Sequence, residues 1–423
     1  MNNKSNSKHI SSLFDTSALT RETTAILNSF DEIIQGVRPL NSRQLQQLPE
    51  NIRNLSHQLT DDRASRRLGY MNDNIQLSSY VRYYTWWNLV RLTRLFANIP
   101  ASVFPTSDCT CLDLGSGPLT VVTALWLARP KLRKLKLTWY CLDVSANSMA
   151  LGEDIYLSIA AKAKATDESI EPWHIVRVKG PFGTPIKQKA GFLTCANMFN
   201  ELDQASDMPP EFQTKKYYEQ IHRYCAEGAG ILLVEPGVPK AARTLSLLRT
   251  RFIKDGRTIA APCPHAEECP MSGFKAYTGS KNKWCNFAFS TEDAPARLQK
   301  LSVAAKLPKE RATLSFIAVD ARVKPEHDNN IKHEHNNNVI VGLDPTIYPV
   351  RIASDKLRLP NYMCGYYACT RFGLTLIKLP DENNKKLPKP PFRPQSGDLI
   401  SVKIKTPDSL PKDEKSGAVI IEL

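Results

Sequence analysis

The stretch Cys111–Thr120, with the sequence CLDLGSGPLT, decides the fold. An apolar run reaches Asp113, a turn follows on Gly115 and Gly117, and a helical pattern comes next. Glycine lets the backbone adopt a positive φ and approach a ligand closely, and the free N–H groups of a new helix attract negative charge. The stretch therefore predicts a strand, a tight glycine turn and a helix. A glycine loop alone is a weak signal, since any strand-to-helix turn in an α/β protein can contain one.

A second strand, predicted over Leu137–Leu142, ends at Asp143. A carboxylate at the tip of the second strand is where an α/β nucleotide-binding fold hydrogen-bonds a ribose. The loop reads D-x-G-x-G, a pattern that resembles S-adenosyl-L-methionine-dependent methyltransferases more than nicotinamide enzymes. Leu119 stands where such loops commonly have a further glycine. The resemblance implies a Rossmann-like methyltransferase fold of the α/β class, with S-adenosyl-L-methionine as a cofactor.

Two further strands are predicted, over Gly191–Met198 and Ile231–Val234. Strands that alternate with helices indicate a mostly parallel sheet, with its ligand at the carboxyl ends of the strands. Polar residues and the loop glycines follow the strands there and are the candidates for cofactor binding: Asp113, Gly115, Ser116, Gly117, Asp143, Asn200 and Glu201. No residue is assigned a catalytic role.

The net charge of +14 favours a polyanionic partner, of which nucleic acid is the commonest. A merely basic surface is the alternative. No apolar run approaches the roughly 20 residues that span a bilayer, so we expect no membrane association. The first residues lack the apolar core of a secretory signal, and ten cysteines without one argue against a disulfide scaffold.

Two other stretches could contact RNA. The aromatic, amphipathic run Tyr70–Phe96 predicts a helix packed against the sheet, and its rings could stack on bases only if exposed. The run 240–257 has six basic residues against one acid, so a helix there would expose much of its charge and suit phosphate contact. A plain solvated helix face is the alternative. The six are Lys240, Arg243, Arg249, Arg251, Lys254 and Arg257.

Three cysteines lie in a polar loop rich in proline, glycine and lysine, within PCPHAEECP (262–270) and KWCNF (283–287). Thiols are usually buried in apolar surroundings, so Cys263, Cys269 and Cys285 in such a loop indicate a shared ligand. A fourth thiol is available at Cys369, with Cys364 as a competitor. Four thiolates suit tetrahedral zinc or an iron–sulfur cluster. Unrelated free cysteines are the alternative.

The order D-x-G-x-G-P, N-E-L, E-P-G, C-P-H-x3-C-P, W-C-x-F and a final cysteine resembles one family, the methyltransferase-like small-ribosomal-subunit assembly proteins of mitochondria and bacteria. The resemblance runs from about Tyr70 to about Val402. It implies a [4Fe-4S] cluster and binding to small-subunit ribosomal RNA in the pre-ribosomal small subunit. The implied cluster ligands are Cys263, Cys269, Cys285 and Cys369. Two features depart from the pattern: an inserted loop over Met271–Lys283, and Asn286, where histidine is common.

The sequence thus predicts a monomeric ribosome-assembly factor that binds ribosomal RNA through a methyltransferase-like domain stabilised by the cluster. An active RNA methyltransferase and a zinc-stabilised RNA-binding protein are the alternatives, and N-E-L differs from the N/D-P-P-Y/F motif of amino-group methylation. Four segments are predicted: a helical region over 1–100, a Rossmann core over 101–258, a cysteine-rich metal region with closing strands over 259–379, and a linker with a β extension over 380–423. We expect the bacterial cytoplasm, with the mitochondrial matrix as the alternative.

Overall fold

The computed structural model describes residues 7–60, 70–165, 167–202, 208–274, 283–323, 345–383, 392–404, 406 and 409–423. The chain divides into two compact units. The Rossmann unit comprises Asp15–Leu233 and Ser290–Ala312, and the cysteine unit comprises Met1–Phe14, Val234–Phe289 and Thr313–Leu423. Within the described ranges, every helix is too short or too polar to cross a bilayer.

The helices of the described residues are α1 (Arg21–Asn28), α2 (Phe30–Val37), α3 (Ser42–Thr60), α4 (Asn74–Tyr80), α5 (Trp86–Asn98), α6 (Thr120–Ala128), α7 (Ala146–Lys164), α8 (Phe199–Leu202), α9 (Pro210–Tyr224), α10 (Pro239–Lys254) and α11 (Ala296–Ala304). The strands are β1 (Ser7–Ser11), β2 (Thr110–Leu114), β3 (Thr138–Asp143), β4 (His174–Lys179), β5 (Ala190–Ala196), β6 (Cys225–Glu235), β7 (Arg257–Ala261), β8 (Phe287–Ser290), β9 (Arg311–Val323), β10 (Ile347–Ile352), β11 (Leu357–Leu359), β12 (Met363–Thr370), β13 (Gly373–Pro380), β14 (Leu399–Lys403) and β15 (Val419–Glu422).

The Rossmann unit contains strands in the order β4-β3-β2-β5-β6. The pairs β2–β3, β2–β5 and β3–β4 are parallel, and every residue of α6 is buried beside them. This arrangement confirms the predicted α/β class with a Rossmann-like core. The strand order reverses between β2 and β5, and a ligand crevice forms at the carboxyl ends of strands at such a switch point.

The aromatic helices of this unit belong to its core. A π-helical turn over Val81–Thr85 joins α4 to α5, and the rings of Tyr83, Trp86 and Trp87 are buried. The indole N–H of Trp86 donates to a backbone carbonyl at 2.8 Å, and that of Trp87 donates to a serine hydroxyl at 3.1 Å. These rings pack as the amphipathic pattern predicts, and burial removes them as base-stacking candidates.

The cysteine unit contains a mixed sheet in the order β1-β14-β10-β12-β13-β15, with β11 paired to β12. Strand β15 runs parallel to β13, whereas β1–β14, β10–β12, β10–β14, β11–β12 and β12–β13 are antiparallel. The predicted C-terminal β extension is therefore part of a larger sheet. Ser7–Ser11, which the sequence places in a helical region, form a strand because they pair antiparallel with β14. The four-segment division stays a prediction, and residues 384–391 of its linker lie outside the described residues.

Candidate functional site

The glycine loop between β2 and α6 is fixed to the end of β3 by backbone hydrogen bonds. The N–H groups of Gly115 and Ser116 donate to the carbonyl of Leu142 at 2.9 and 3.1 Å. The N–H of Gly117 donates to Oδ2 of Asp143 at 2.9 Å, and Oδ1 of the same carboxylate accepts from the N–H of Ser145 at 2.8 Å. Each carboxylate oxygen can accept more than one hydrogen bond, so Asp143 retains acceptor capacity towards a ribose.

The loop backbone is left-handed at three positions, Gly115 (φ +65°), Gly117 (φ +49°) and Leu119 (φ +52°). Leucine disfavours this conformation because its Cβ crowds the backbone, and the side chain of Leu119 is fully buried. Packing of that side chain holds the turn without the further glycine that such loops commonly have. Leu119 is the N-cap of α6, so the first N–H groups of the helix directly follow the loop and are free of intrahelical partners.

Helix α7 approaches this loop at Gly152. A Cβ atom at that position would lie 2.3 to 2.6 Å from backbone atoms of Pro118. Glycine here is therefore a packing requirement, since no other residue allows the helix backbone to come this close to the loop.

A cleft with about 1030 Å³ of open space, solvent at its mouth included, lies at the carboxyl ends of the strands. Five of the seven candidate cofactor residues line it: Gly115, Ser116, Gly117, Asp143 and Glu201. Asp113 and Asn200 are outside the lining. Asp113 lies beneath the loop, and Asn200 is buried in α8.

Other lining residues were not anticipated from the sequence. Tyr80 and Asn88 come from the aromatic helices, and Asn197 follows β5 with a φ of +61°. The guanidinium of Arg91 donates to the side-chain oxygens of Asn88 and Asn197 at 2.9 and 3.0 Å. Burial raises the pKa of Tyr80, and the nearby carboxylates of Glu201 and Asp143 raise it further. At neutral pH, Tyr80 therefore presents a neutral hydroxyl to the cleft.

Asp113 is fully buried, and its Oδ1 accepts from the hydroxyl of Thr194 at 2.7 Å. Its Oδ2 has no hydrogen-bond partner among the described residues. Burial raises the pKa of Asp113 to about 7, against the hydrogen bond from Thr194, which lowers it.

We expect Asp113→Asn to change the pH dependence of stability. The unfolded carboxyl loses its proton near pH 4, whereas the folded one keeps it to about pH 7. The stabilisation from this group is therefore complete below pH 4 and is lost as the pH rises through 7. The free energy of unfolding of the variant, relative to wild type, should rise across this window by at most a few kcal/mol and then level off. Urea unfolding at several pH values measures this difference, and a constant difference would contradict the prediction.

In the cysteine unit, four of the ten thiols lie close enough together for their charges to interact: Cys263, Cys269, Cys285 and Cys369. These are the predicted ligands. Side chains alternate along a strand, so Cys364 and Cys369 of β12 point to opposite faces. Cys364 lies in the apolar core of the sheet, with the Pro380 carbonyl 3.9 Å from its sulfur. The structure therefore brings Cys369, and not Cys364, to the other three thiols.

Polar side chains surround these thiols. The Nε of Arg249 donates to Sγ of Cys263 at 3.0 Å, and Nε2 of His265 lies 2.9 Å from Sγ of Cys369. Arg351 is opposite Cys369 in the β10–β12 register, and its Nε donates to the carbonyl of Pro262 at 2.9 Å. Both arginines are buried. Arg249 belongs to the basic helix α10, whose sequence pattern contains no sign that one cation faces inward.

Burial raises the pKa of Cys285 and Cys369 well above the ordinary value, and charge on the neighbouring thiols raises it further. Burial also lowers the pKa of His265 to about 4, assisted by the charge of Arg249. Without a bound metal, these thiols and the imidazole are therefore neutral. Within the described ranges, no three histidine, cysteine or acidic side chains form a group that could hold a single metal ion.

A family model described as "Mitochondrial small ribosomal subunit Rsm22" matches residues 89–331, more than half of the chain. The chain belongs to this family. The match to the Rsm22 model covers the glycine loop, the cleft residues from Leu92 onward and three of the four clustered cysteines. Cys369 lies beyond it. No curated protein sequence matches the chain.

Solved structures resemble the chain only remotely. A SAM-dependent methyltransferase from Geobacter sulfurreducens, in complex with S-adenosyl-L-homocysteine, is 12% identical with a TM-score of 0.31, covering 56% of this chain and 90% of the other. A SAM-dependent methyltransferase from Thiobacillus denitrificans, in the same complex, is also 12% identical with a TM-score of 0.31, covering 56% and 91%. Similarities this weak support no conclusion about the ligand or activity of this member of the Rsm22 family.

Proposed function

We propose that this Rsm22-family protein is an assembly factor that binds ribosomal RNA of the small subunit, in mitochondria as the family description has it. The family supports the link to the small ribosomal subunit, and the net charge of +14 supports a polyanionic partner. The observation that carries the proposal is the combination of a Rossmann core with a cluster of four thiols in one chain of this family. We expect a monomer.

The thiol cluster fits a [4Fe-4S] centre held by Cys263, Cys269, Cys285 and Cys369. Four thiolates around such a centre carry net negative charge, and the buried guanidinium groups of Arg249 and Arg351 lie among them. An uncompensated buried charge is costly, so the two cations favour an anionic occupant. Asp398 also lies near Arg351 and offsets part of its charge.

The chemistry that such a centre would supply here is structural. All four ligands are protein thiols, which leaves no open iron position for a substrate. The bonds would join the loop that contains Cys263, Cys269 and Cys285 to strand β12, which follows far along the chain. Metal-ligand bonds of this kind contribute directly to the folding free energy of their unit. Zinc in place of iron is the alternative.

The cleft of the Rossmann unit fits S-adenosyl-L-methionine, which would supply a methyl group. The N–H groups at the start of α6 suit its carboxylate, and Asp143 suits its ribose. The lining hydroxyl of Tyr80 and carboxylate of Glu201 favour RNA methylation as a second candidate function. Isothermal titration with S-adenosyl-L-homocysteine tests binding. Transfer of labelled methyl groups to small-subunit RNA tests catalysis. Binding without transfer would contradict the methylation function and would be compatible with the assembly role.

A row of lysines marks the surface of the Rossmann unit that we propose for phosphate contact. Lys134 and Lys136 precede β3, Lys187 and Lys189 precede β5, and all four are exposed. Because β2 pairs with both β3 and β5 in parallel register, these residues lie at the amino-terminal edge of the sheet, opposite the cleft. Asp108 lies at the same edge, where its Oδ1 accepts from the backbone N–H of Lys136 at 2.8 Å.

We expect Lys136→Ala combined with Lys189→Ala to weaken binding to small-subunit RNA about equally for all sequences. Each lost phosphate contact lowers the slope of log affinity against log salt by roughly 1. Filter binding at several salt concentrations measures the slope. The matched control is Lys179→Ala with Lys216→Ala, two exposed lysines away from this edge: Lys179 is the last residue of β4, and Lys216 lies in the first half of α9. Equal slopes for the two pairs would exclude the lysine row as a phosphate-binding surface.

A further inference from the structure

The hairpin between β11 and β12 contains an unusual turn. The Met363 N–H donates to the Pro360 carbonyl at 3.3 Å, and the two residues between them have positive φ, +58° at Asn361 and +54° at Tyr362. Type I′ turns require positive φ at both central positions and therefore favour Asn-Gly. Asparagine tolerates this conformation, whereas the Cβ of a tyrosine makes it unfavourable.

The ring of Tyr362 is also the most exposed large apolar side chain in the described part of the chain, at 71%. A strained residue that is held by its surroundings is a reason to look for a function. The surroundings hold it here, because the Tyr362 carbonyl accepts from the N–H of Asp381 at 2.9 Å. Glycine would fit this backbone without strain, but it would present no ring to solvent.

The charges around the hairpin suit a nucleic acid. Arg358, on the preceding strand, is exposed and pairs in register with Cys364. Two of the nearby carboxylates are engaged with cations: Asp381 with Lys356 at 2.7 Å, and Glu382 with Lys356 and Arg393 at 3.6 Å each. An exposed ring and an exposed guanidinium in one hairpin are the groups with which proteins stack on unpaired bases and contact phosphates.

We propose that Tyr362 is a base-stacking residue, and that the hairpin binds an unpaired nucleotide of RNA with Arg358 at its phosphate. The inference rests on the proposed RNA-binding function and assigns it a specific contact. It also explains why tyrosine occupies a position where glycine would be more stable.

The test compares Tyr362→Gly with Tyr362→Phe, using single-stranded RNA that contains 2-aminopurine, whose fluorescence falls when the base stacks. Tyr362→Gly should lose affinity for this RNA by about 5- to 100-fold and lose the quenching, because one base–aromatic stack is removed. It should at the same time raise the midpoint of thermal unfolding by roughly 1 °C or more. Tyr362→Phe should keep both the affinity and the quenching. Duplex RNA should bind all variants equally.

The matched control is Phe212→Ala on α9, an aromatic residue of similar exposure, 66%, which should leave RNA affinity unchanged. Unchanged affinity and quenching in Tyr362→Gly would overturn the inference while leaving the proposed function intact. A wild-type chain that binds no RNA would overturn both. A variant that binds RNA normally but loses a small-subunit protein would assign the hairpin to a protein partner and also overturn the inference, as would a fall in stability of Tyr362→Gly.

Discussion

Cys263→Ser and Cys369→Ser are each expected to lose the metal centre and to lower the free energy of unfolding by at least about 4 kcal/mol. The two residues come from separate segments, and Cys369 is the proposed ligand that would tie strand β12 to the loop. Loss of either ligand releases that tie. It also leaves Arg249 and Arg351 buried beside fewer anionic partners, which adds to the cost.

The measurement is iron, acid-labile sulfide and zinc content with a visible spectrum, on protein purified without air, followed by thermal unfolding. About four irons and four sulfides per chain with a broad brown absorption are expected for wild type. Cys364→Ala is the matched control, because that thiol lies in the same strand but in the apolar core. It should keep the full metal content. Zinc alone, near one per chain, would favour the zinc-stabilised alternative, and a metal-free wild type would contradict the centre itself.

Gly152→Ala is expected to destabilise the chain by about 3 kcal/mol and to abolish binding of S-adenosyl-L-homocysteine. The same substitution in an open helix stabilises by up to about 1 kcal/mol, because alanine is the better helix former. Here the sign reverses, since the new methyl group would lie 2.3 Å from the Pro118 backbone and would push the glycine loop out of place.

Gly36→Ala is the control, since that glycine lies within α2 and a methyl group added there would have no neighbouring atom within 4 Å beyond its own stretch of helix. It should stabilise slightly and leave ligand binding unchanged. Urea unfolding and isothermal titration of both variants provide the comparison. A Gly152→Ala variant that is as stable as Gly36→Ala would show that α7 can move away from the loop at little cost.

The parts of the site that could be predicted are those that local sequence encodes. The glycine loop and Asp143 follow from a strand, a turn and the next strand, so their meeting needs only the Rossmann topology. Tyr80 and Asn197 reach the cleft through packing of helices against the sheet and through one left-handed residue, which no local pattern signals. The Rossmann-like class was predictable for the same reason, because it follows from the local pattern of strand, turn and helix, and the structure confirms it.

The cysteine unit shows a second limit to predicting a site from its sequence. Strand alternation implies that Cys364 and Cys369 face opposite sides, but which side meets the loop depends on the register of the sheet. The charge pattern groups Arg249 with five other cations as a phosphate contact, and this prediction is wrong for Arg249 because its side chain turns towards Cys263. The sequence shows which residues of a helix are charged, whereas the direction of each side chain depends on where the helix packs.

The pairing of β1 with β14 has a consequence for synthesis at the ribosome. Residues 7–11 leave the exit tunnel early, but their partner strand, residues 399–403, emerges some 390 residues later. The strands that supply Arg351 and Cys369 also emerge late, whereas the parallel strands of the Rossmann unit are complete by residue 235. Translation therefore orders the two folding events: the Rossmann unit can form on the nascent chain, and the cysteine unit closes only afterwards. Insertion of the proposed cluster would on this schedule follow translation, and a chain stalled before residue 369 would carry only three of the four proposed ligands.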